Sequence, residues 1–323
     1  MKPMIYKIWK ITKRIVLGAV ALFVLWFVGH QLMSLYEKNK YEAIGQHVEV
    51  DGKEMHVYEK GAGDNTIVLL TGLGTAAPAL DFEPLVKELS VDNRVIVVEP
   101  FGYGWSEKTD KKRSVENITE EIRTAILQLD IQEPYILMPH SISGVYSMYY
   151  ANKYPEEIKA IIGIDPTLPQ ALEYFEEDAP SMPKALSIIA PSGLARLAMY
   201  ITPDSFLPIA GENTYSKENL KMTKLISSWS GYNRNVINET NLIQENMELT
   251  KKLTFPPDLP VMIFTSDAEK TNEDGKSNIT FYETQLKNST LSKLVPLEGH
   301  HYLHWTQSET MSDEVREFIE IMD

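Results

Sequence analysis

Six short runs of β-branched and aliphatic residues punctuate this chain: "TIVLL" (66–70), "RVIVVE" (94–99), "YILM" (135–138), "AIIGID" (160–165), "VMIFT" (261–265) and "KLVPL" (293–297). Uniformly apolar runs of this length suit strands buried on both faces of a parallel sheet. Parallel neighbours need a crossover of a dozen or more residues between them. The intervals supply it, with helical patterns over 80–90, 116–129, 143–153, 277–288 and 308–322. Ahead of the first run, "HVEVDGKEMHVYEKG" alternates around Asp51-Gly52, the signature of a β-hairpin. The pattern predicts an α/β, doubly wound, mostly parallel sheet entered through an antiparallel hairpin.

One interval departs from the rhythm. Between Pro166 and Pro257 no run reads as a strand, whereas 183–200, 215–229 and 234–252 carry amphipathic helical spacing. A block of about 90 residues is too long for a plain connection, so it is expected to form a helical cap inserted between two strands. The expected organisation is 1–40 as an anchor and linker, 41–165 with 258–323 as the sheet core, and 166–257 as the cap.

The N-terminal segment has a chemistry of its own. Residues 1–40 carry seven basic side chains against one acid, so the remaining chain stands at −20, the whole chain's −14 less this segment's +6. Five of the basic residues precede an unbroken apolar run of 15 residues, Ile15–Gly29. A membrane span takes about 20 apolar residues, and Leu32, Met33, Leu35 and Tyr36 extend the run toward that length. A cleavable signal peptide is the competing reading, but no small-x-small cleavage pattern follows Phe27–Tyr36. The segment therefore reads as an uncleaved single-pass signal anchor, its basic flank in the cytoplasm and the rest of the chain outside. The net charge of −14 disfavours a nucleic-acid partner, whose phosphates it would repel. Without a single cysteine, disulfides, thiol catalysis and cysteine-ligated metal are excluded.

The polar stretch "PHSISG" (139–144) joins the run "YILM" to the helical "SGVYSMYYANKYP". A serine on a bend between strand and helix points outward, beside backbone N–H groups at the helix start. Ser141 and Ser143 both qualify. Here the chain resembles the α/β-hydrolase superfamily, whose nucleophile elbow reads G-x-S-x-G, with Ser141 at the nucleophile, Pro139 and Ser143 in place of the two glycines, and Gly144 following.

Other stretches extend the resemblance over roughly residues 45–323. "IVLLTGLGTAAPALDFEPLVKEL" is similar to the superfamily's strand and HG-type loop, with Thr71 in the histidine position and Gly72 and Gly74 beside Leu73. It implies an oxyanion hole from the Leu73 and Ile142 amides, a role that demands backbone donors. "VIVVEPFGYGWSEK" resembles the family's D-x-x-G-x-G-x-S turn, with Glu99 for aspartate. That turn reads as structural, and Glu99 and Ser106 are given no catalytic role. "LPVMIFTSDAEK" resembles the strand that carries the family's acid and implies Glu269, with Asp267 as the alternative; Asp165, at the end of "AIIGID", is a third and weaker candidate, read first as a strand-end cap. "LVPLEGHHYLHWTQ" resembles the terminal histidine loop and implies His301 as the base, with His300 as the alternative, and His304 packing nearby. No cofactor and no metal are expected.

The resemblance implies a serine hydrolase acting on a carboxylic ester or related acyl bond, with a small, hydrophobic acyl substrate favoured by the apolar "ALSIIAPSGLARLAMYI" of the cap. A proline-iminopeptidase-like peptidase is one alternative, and a non-catalytic binding or receptor protein on the same fold is another.

Overall fold

A computed structural model describes residues 2–131, 134–267, 271, 274–287 and 289–322. Eight strands form one sheet: β1 Gln46–Val50, β2 Lys53–Lys60, β3 Thr66–Leu70, β4 Arg94–Val98, β5 Tyr135–Pro139, β6 Ile158–Ile164, β7 Val261–Ser266 and β8 Ser292–Leu297. Their order across the sheet is β1-β2-β4-β3-β5-β6-β7-β8. The first two pair antiparallel around Asp51-Gly52, β2 pairs antiparallel with β4, and every pairing from β4 to β8 is parallel.

Alternation divides each buried strand between two layers. Val68 and Leu70 of β3 join the core beneath the helices Val115–Leu127 and Ser143–Lys153. Ile67 and Leu69 face the opposite core, closed by Glu83–Leu89 and Ser308–Met322. Both faces are thus covered, which is why these strands are apolar throughout.

The strand order positions the site. From β3 the chain turns outward to β4, then crosses back to β5 on the other side of β3 and continues to β6. Loops leaving the adjacent ends of β3 and β5 therefore diverge and open a crevice between them. Open α/β sheets bind ligands at such a reversal.

Between β6 and β7 the described residues form helices and turns only, including Leu194–Ile201, Lys217–Ser230, Arg234–Thr240 and Ile243–Thr250. The helix expected over 183–200 is interrupted at Gly193, which has φ of +80°. A side chain there would collide with Trp26 and His30 of the N-terminal helix. That helix, Lys2–Lys40, is long and apolar enough over Met4–Lys40 to cross a membrane, and its apolar side chains are largely exposed.

Two buried polar clusters tie the insert to its surroundings. Arg196 donates to both carboxylate oxygens of Glu37, at 2.8 and 2.6 Å, and to Ser34 and His30. Trp229 donates its indole N–H to the same carboxylate. On the core side, Glu239 of Arg234–Thr240 accepts from Tyr103 and Tyr146 at 2.9 and 2.8 Å. Burial pushes the Glu239 carboxyl above its ordinary range and both phenols well above theirs, favouring their neutral forms.

Gly144 marks a close crossing beyond the carboxyl ends of β5 and β6. A Cβ on it would lie 2.5 Å from the Thr167 carbonyl oxygen, where the chain leaves β6. Overpacking of this kind costs about 1–3 kcal/mol, so Gly144→Ala should lower the denaturant midpoint of unfolding by a corresponding amount. Gly211→Ala, whose new methyl meets its nearest neighbour at 3.5 Å, should leave it within experimental scatter. Denaturant titration of both variants in detergent checks the pair.

Candidate active site

The chain bends at Ser141 with a φ of 54°, a conformation rare for a residue with a side chain. Neighbouring backbone groups hold it there. His140 N–H bonds the Leu70 carbonyl and Ser141 N–H the Ile164 carbonyl, so the bend is fixed to the strands on either side. The Ser141 carbonyl accepts from Gly144 and Thr167 at 2.9 and 2.8 Å. With these constraints satisfied, the serine hydroxyl faces a cavity of about 590 Å³ that is also bordered by Leu73, Ile142, Asp165 and His301. Ser141 Oγ has no protein hydrogen-bond partner among the described residues.

The departures from the elbow pattern each have a physical account. Pro139 ends β5, opposite Leu70 of β3, before the bend begins. The β5–β6 ladder stops at Leu137–Ile161 and resumes as a single bridge at His140–Ile164. Proline lies in that gap, where its missing N–H breaks no recorded pairing. Ser143 is buried and donates to the Thr71 carbonyl, tying the elbow helix to the loop after β3. Its hydroxyl is occupied there, away from the cavity. The role of a close-contact glycine falls on Gly144.

The loop after β3 approaches the elbow closely. A Cβ on Gly72 would lie 2.8 Å from His140 Nδ1 and 3.1 Å from Ser141 Cβ. Gly74 has φ of +78° and donates its N–H to Tyr103 Oη, whose own proton goes to Glu239. This relay fixes the loop next to the elbow. The N–H groups of Leu73 in this loop and of Ile142 at the elbow have no protein acceptor among the described residues, and both residues border the cavity.

The histidine and its acid come from two strand ends. His301 follows β8, and its Nδ1 lies 2.6 Å from Asp165 Oδ2. Asp165 follows β6 at φ 41° and is almost fully buried. Its other oxygen receives Thr265 and Asn278 at 3.2 Å, with the Tyr282 hydroxyl at the same distance. Several donors thus hold the carboxylate, and it engages the imidazole at Nδ1, leaving Nε2 for the cavity that His301 borders.

Among the described residues, the acid that pairs with His301 is Asp165, after β6. Asp267 is exposed, with its backbone N–H on the Leu297 carbonyl, and Glu269 lies outside the described residues. Adjacent parallel strands end about 4.8 Å apart, so β6 and β7 can each present an acid to the same histidine. The strand-end-cap reading of Asp165 gives way to this contact. An aspartate at the C-terminal end of the strand next to the elbow strand was the available signal. His300, the alternative base, does not border this cavity, and its Nδ1 accepts the Tyr302 N–H.

His140 is a feature the sequence reading passed over. Its ring is fully buried against His301, Tyr302 and His304, and Nε2 lies 3.2 Å from the His301 carbonyl. A carbonyl only accepts, so Nε2 carries the proton and Nδ1 is left bare. His304 in turn lies 2.7 Å from Asp81, which also receives the Trp305 N–H. These contacts brace the loop that carries His301.

Burial pushes the His140 imidazole well below its ordinary 6.5, with His304 and His301 adding to the effect. The unfolded chain's His140 protonates near 6.5 while the folded one resists, so stability falls as pH drops below that value. Urea titrations at about pH 7.5 and 5.5 should show a lower midpoint at the acid end. His140→Phe, which keeps a ring in place, should show a shallower fall.

Comparison with known proteins adds to this geometry. The profile of a family described as alpha/beta hydrolase fold matches residues 65–306. The uncharacterized protein YbdG of Bacillus subtilis is 30% identical over 321 residues, covering 97% of this chain and 98% of that protein. Human serine hydrolase BPHL is 27% identical over 118 residues, 36% of this chain and 40% of its own. Among solved structures, epoxide hydrolase VrEH1 from Vigna radiata superposes with a TM-score of 0.65 at 21% identity, over 85% of this chain and 97% of that one. At that identity the likeness concerns the fold.

Proposed function

From the premise that this chain belongs to the α/β-hydrolase fold family, we propose that it is a membrane-anchored serine hydrolase cleaving a carboxylic ester or related acyl bond. The observation carrying this reading is one cavity bordered by Ser141, at its strained bend, and by His301, whose Nδ1 is held by Asp165. In this reading the insert between β6 and β7 is a cap over the cavity.

The chemistry proceeds in two halves. Ser141 Oγ attacks the substrate carbonyl as His301 Nε2 takes its proton, and the oxyanion receives the Leu73 and Ile142 N–H groups. His301 then protonates the leaving group, giving an acyl-serine that water hydrolyses with the same histidine as base. Asp165 keeps the imidazole in the required tautomer and stabilises its charged form.

A fluorophosphonate probe tests the nucleophile. Ser141→Ala should abolish labelling of the folded protein and Ser143→Ala should retain it. Folded wild-type protein that takes no label would leave a non-catalytic binding protein as the reading of this fold. Asp165→Asn should lower kcat by about 10²–10⁴-fold, as loss of a tautomer-fixing acid does, whereas Asp267→Asn should stay near wild type.

A peptidase acting on a free amino terminus is the second reading, because Glu177 and Asp178 border the same cavity and would receive an α-ammonium. Comparing kcat/KM on proline p-nitroanilide and p-nitrophenyl acetate separates the two.

The N-terminal helix is read as a single-pass anchor that leaves the hydrolase domain outside the cytoplasm. Full-length protein should partition with detergent; recovery in the aqueous phase would refute the anchor.

A further inference from the structure

The cavity at Ser141 has a neighbour. Leu73 borders both it and a second cavity of about 510 Å³, lined between core and insert by Ala195, Phe206, Val236 and Tyr302. Leu207 borders that second cavity and a third, which reaches Glu37 on the N-terminal helix and Tyr200. Leu73 is thus a wall common to the first two spaces and Leu207 a wall common to the second and third, which reaches the flank of the N-terminal helix.

The level of that outer end relative to a bilayer follows from the helix itself. Its strict apolar run stops at Gly29, and the next polar residues are His30 and Gln31. Gln31 donates to the Pro191 carbonyl at 2.7 Å, Gly193 abuts Trp26 and His30, and Arg196 holds Glu37. The stretch 189–201 is therefore held where the helix leaves the apolar layer. Around it Leu194, Leu197, Tyr200, Ile201, Ile188 and Ile209 present apolar side chains to the surroundings, with Ile201 and Ile209 72% and 74% exposed. Leu194, Leu197 and Ile201 recur at i, i+3 and i+7, on one face of the helix Leu194–Ile201, and exposed apolar side chains so placed beside a span-length apolar helix mark an interaction site.

Resting on the hydrolase and anchor readings above, we propose that the substrate is a long-chain acyl ester drawn laterally from the bilayer. It passes Leu207 beside the N-terminal helix, and its acyl chain occupies the second cavity while its carbonyl reaches Ser141. The exposed apolar face of the insert rests in the membrane interface and keeps the entrance against the lipid.

The test uses the full-length protein with p-nitrophenyl acetate and p-nitrophenyl dodecanoate. Leu207→Trp narrows the junction, so the ratio of dodecanoate to acetate kcat/KM should fall about tenfold, the value of roughly two buried methylenes. Leu207→Ala, which widens the junction, should hold or raise that ratio. Ile201→Glu should lower the dodecanoate rate from phosphatidylcholine vesicles relative to detergent micelles by about fivefold, since a charge on the interfacial face weakens seating. Turnover of both esters with a ratio indifferent to Leu207 overturns the acyl arm. A vesicle-to-micelle ratio indifferent to Ile201→Glu overturns the lateral entrance. Absence of turnover on either ester, with no fluorophosphonate labelling, instead sinks the hydrolase reading and this proposal with it.

Discussion

The candidate site depends on one backbone conformation, the left-handed bend at Ser141. A side chain disfavours this region by steric contact, so the bend persists because neighbouring groups leave it no alternative. Two strands hold it by hydrogen bonds, Leu70 on one side and Ile164 on the other. Two glycines clear the volume it needs, Gly72 in front and Gly144 behind. The same bend directs the Ile142 amide and the Ser141 side chain toward one cavity. Strain at the serine is thus balanced by the parallel sheet, and the sheet's order in turn decides which loops can meet there.

Around this bend the polar groups form braces rather than isolated contacts. Tyr103 links the Gly74 amide to Glu239, and Tyr146 on the elbow helix reaches the same carboxylate. His140 supports the carbonyl of His301, while Asp81 binds His304 and Trp305 further along that loop. The buried turn after β4 is built likewise. Glu99 accepts from Ala79 and Trp105, and a Cβ on Gly104 would lie 1.8 Å from its Oε2. Ser106 donates to the Glu99 carbonyl and accepts from His56. A glutamate in the aspartate position is accommodated because glycine leaves room for its extra methylene.

The sheet was legible in the sequence because burial on both faces writes itself as unbroken apolar runs. The run 66–70 coincides with β3, and the other five lie within a residue or two of their strands. Ser141 and His301 were legible because each stands in a local motif whose bend or loop is short-range. Asp165 was not. Its partner is 136 positions away, and what distinguishes it from an ordinary strand-end aspartate is the neighbouring strand order, a long-range property. The insert's helices were placed in outline, but their breaks were not. Gly193 interrupts a helix where Trp26 and His30 arrive from the other end of the chain.

The Arg196–Glu37 pair also bears on how this protein can be divided. The guanidinium is buried in the insert, and its carboxylate partner belongs to the N-terminal helix. Stripping a buried charge of its counter-ion typically costs about 3–5 kcal/mol, a large share of a domain's whole stability. Trimming the first 40 residues to isolate the rest of the chain would impose that loss and also bare the indole N–H of Trp229. The boundary suggested by hydropathy is therefore a poor place to cut. A truncation that keeps Glu37, His30 and Ser34 respects the domain as it is folded, because the last turns of the helix belong to it.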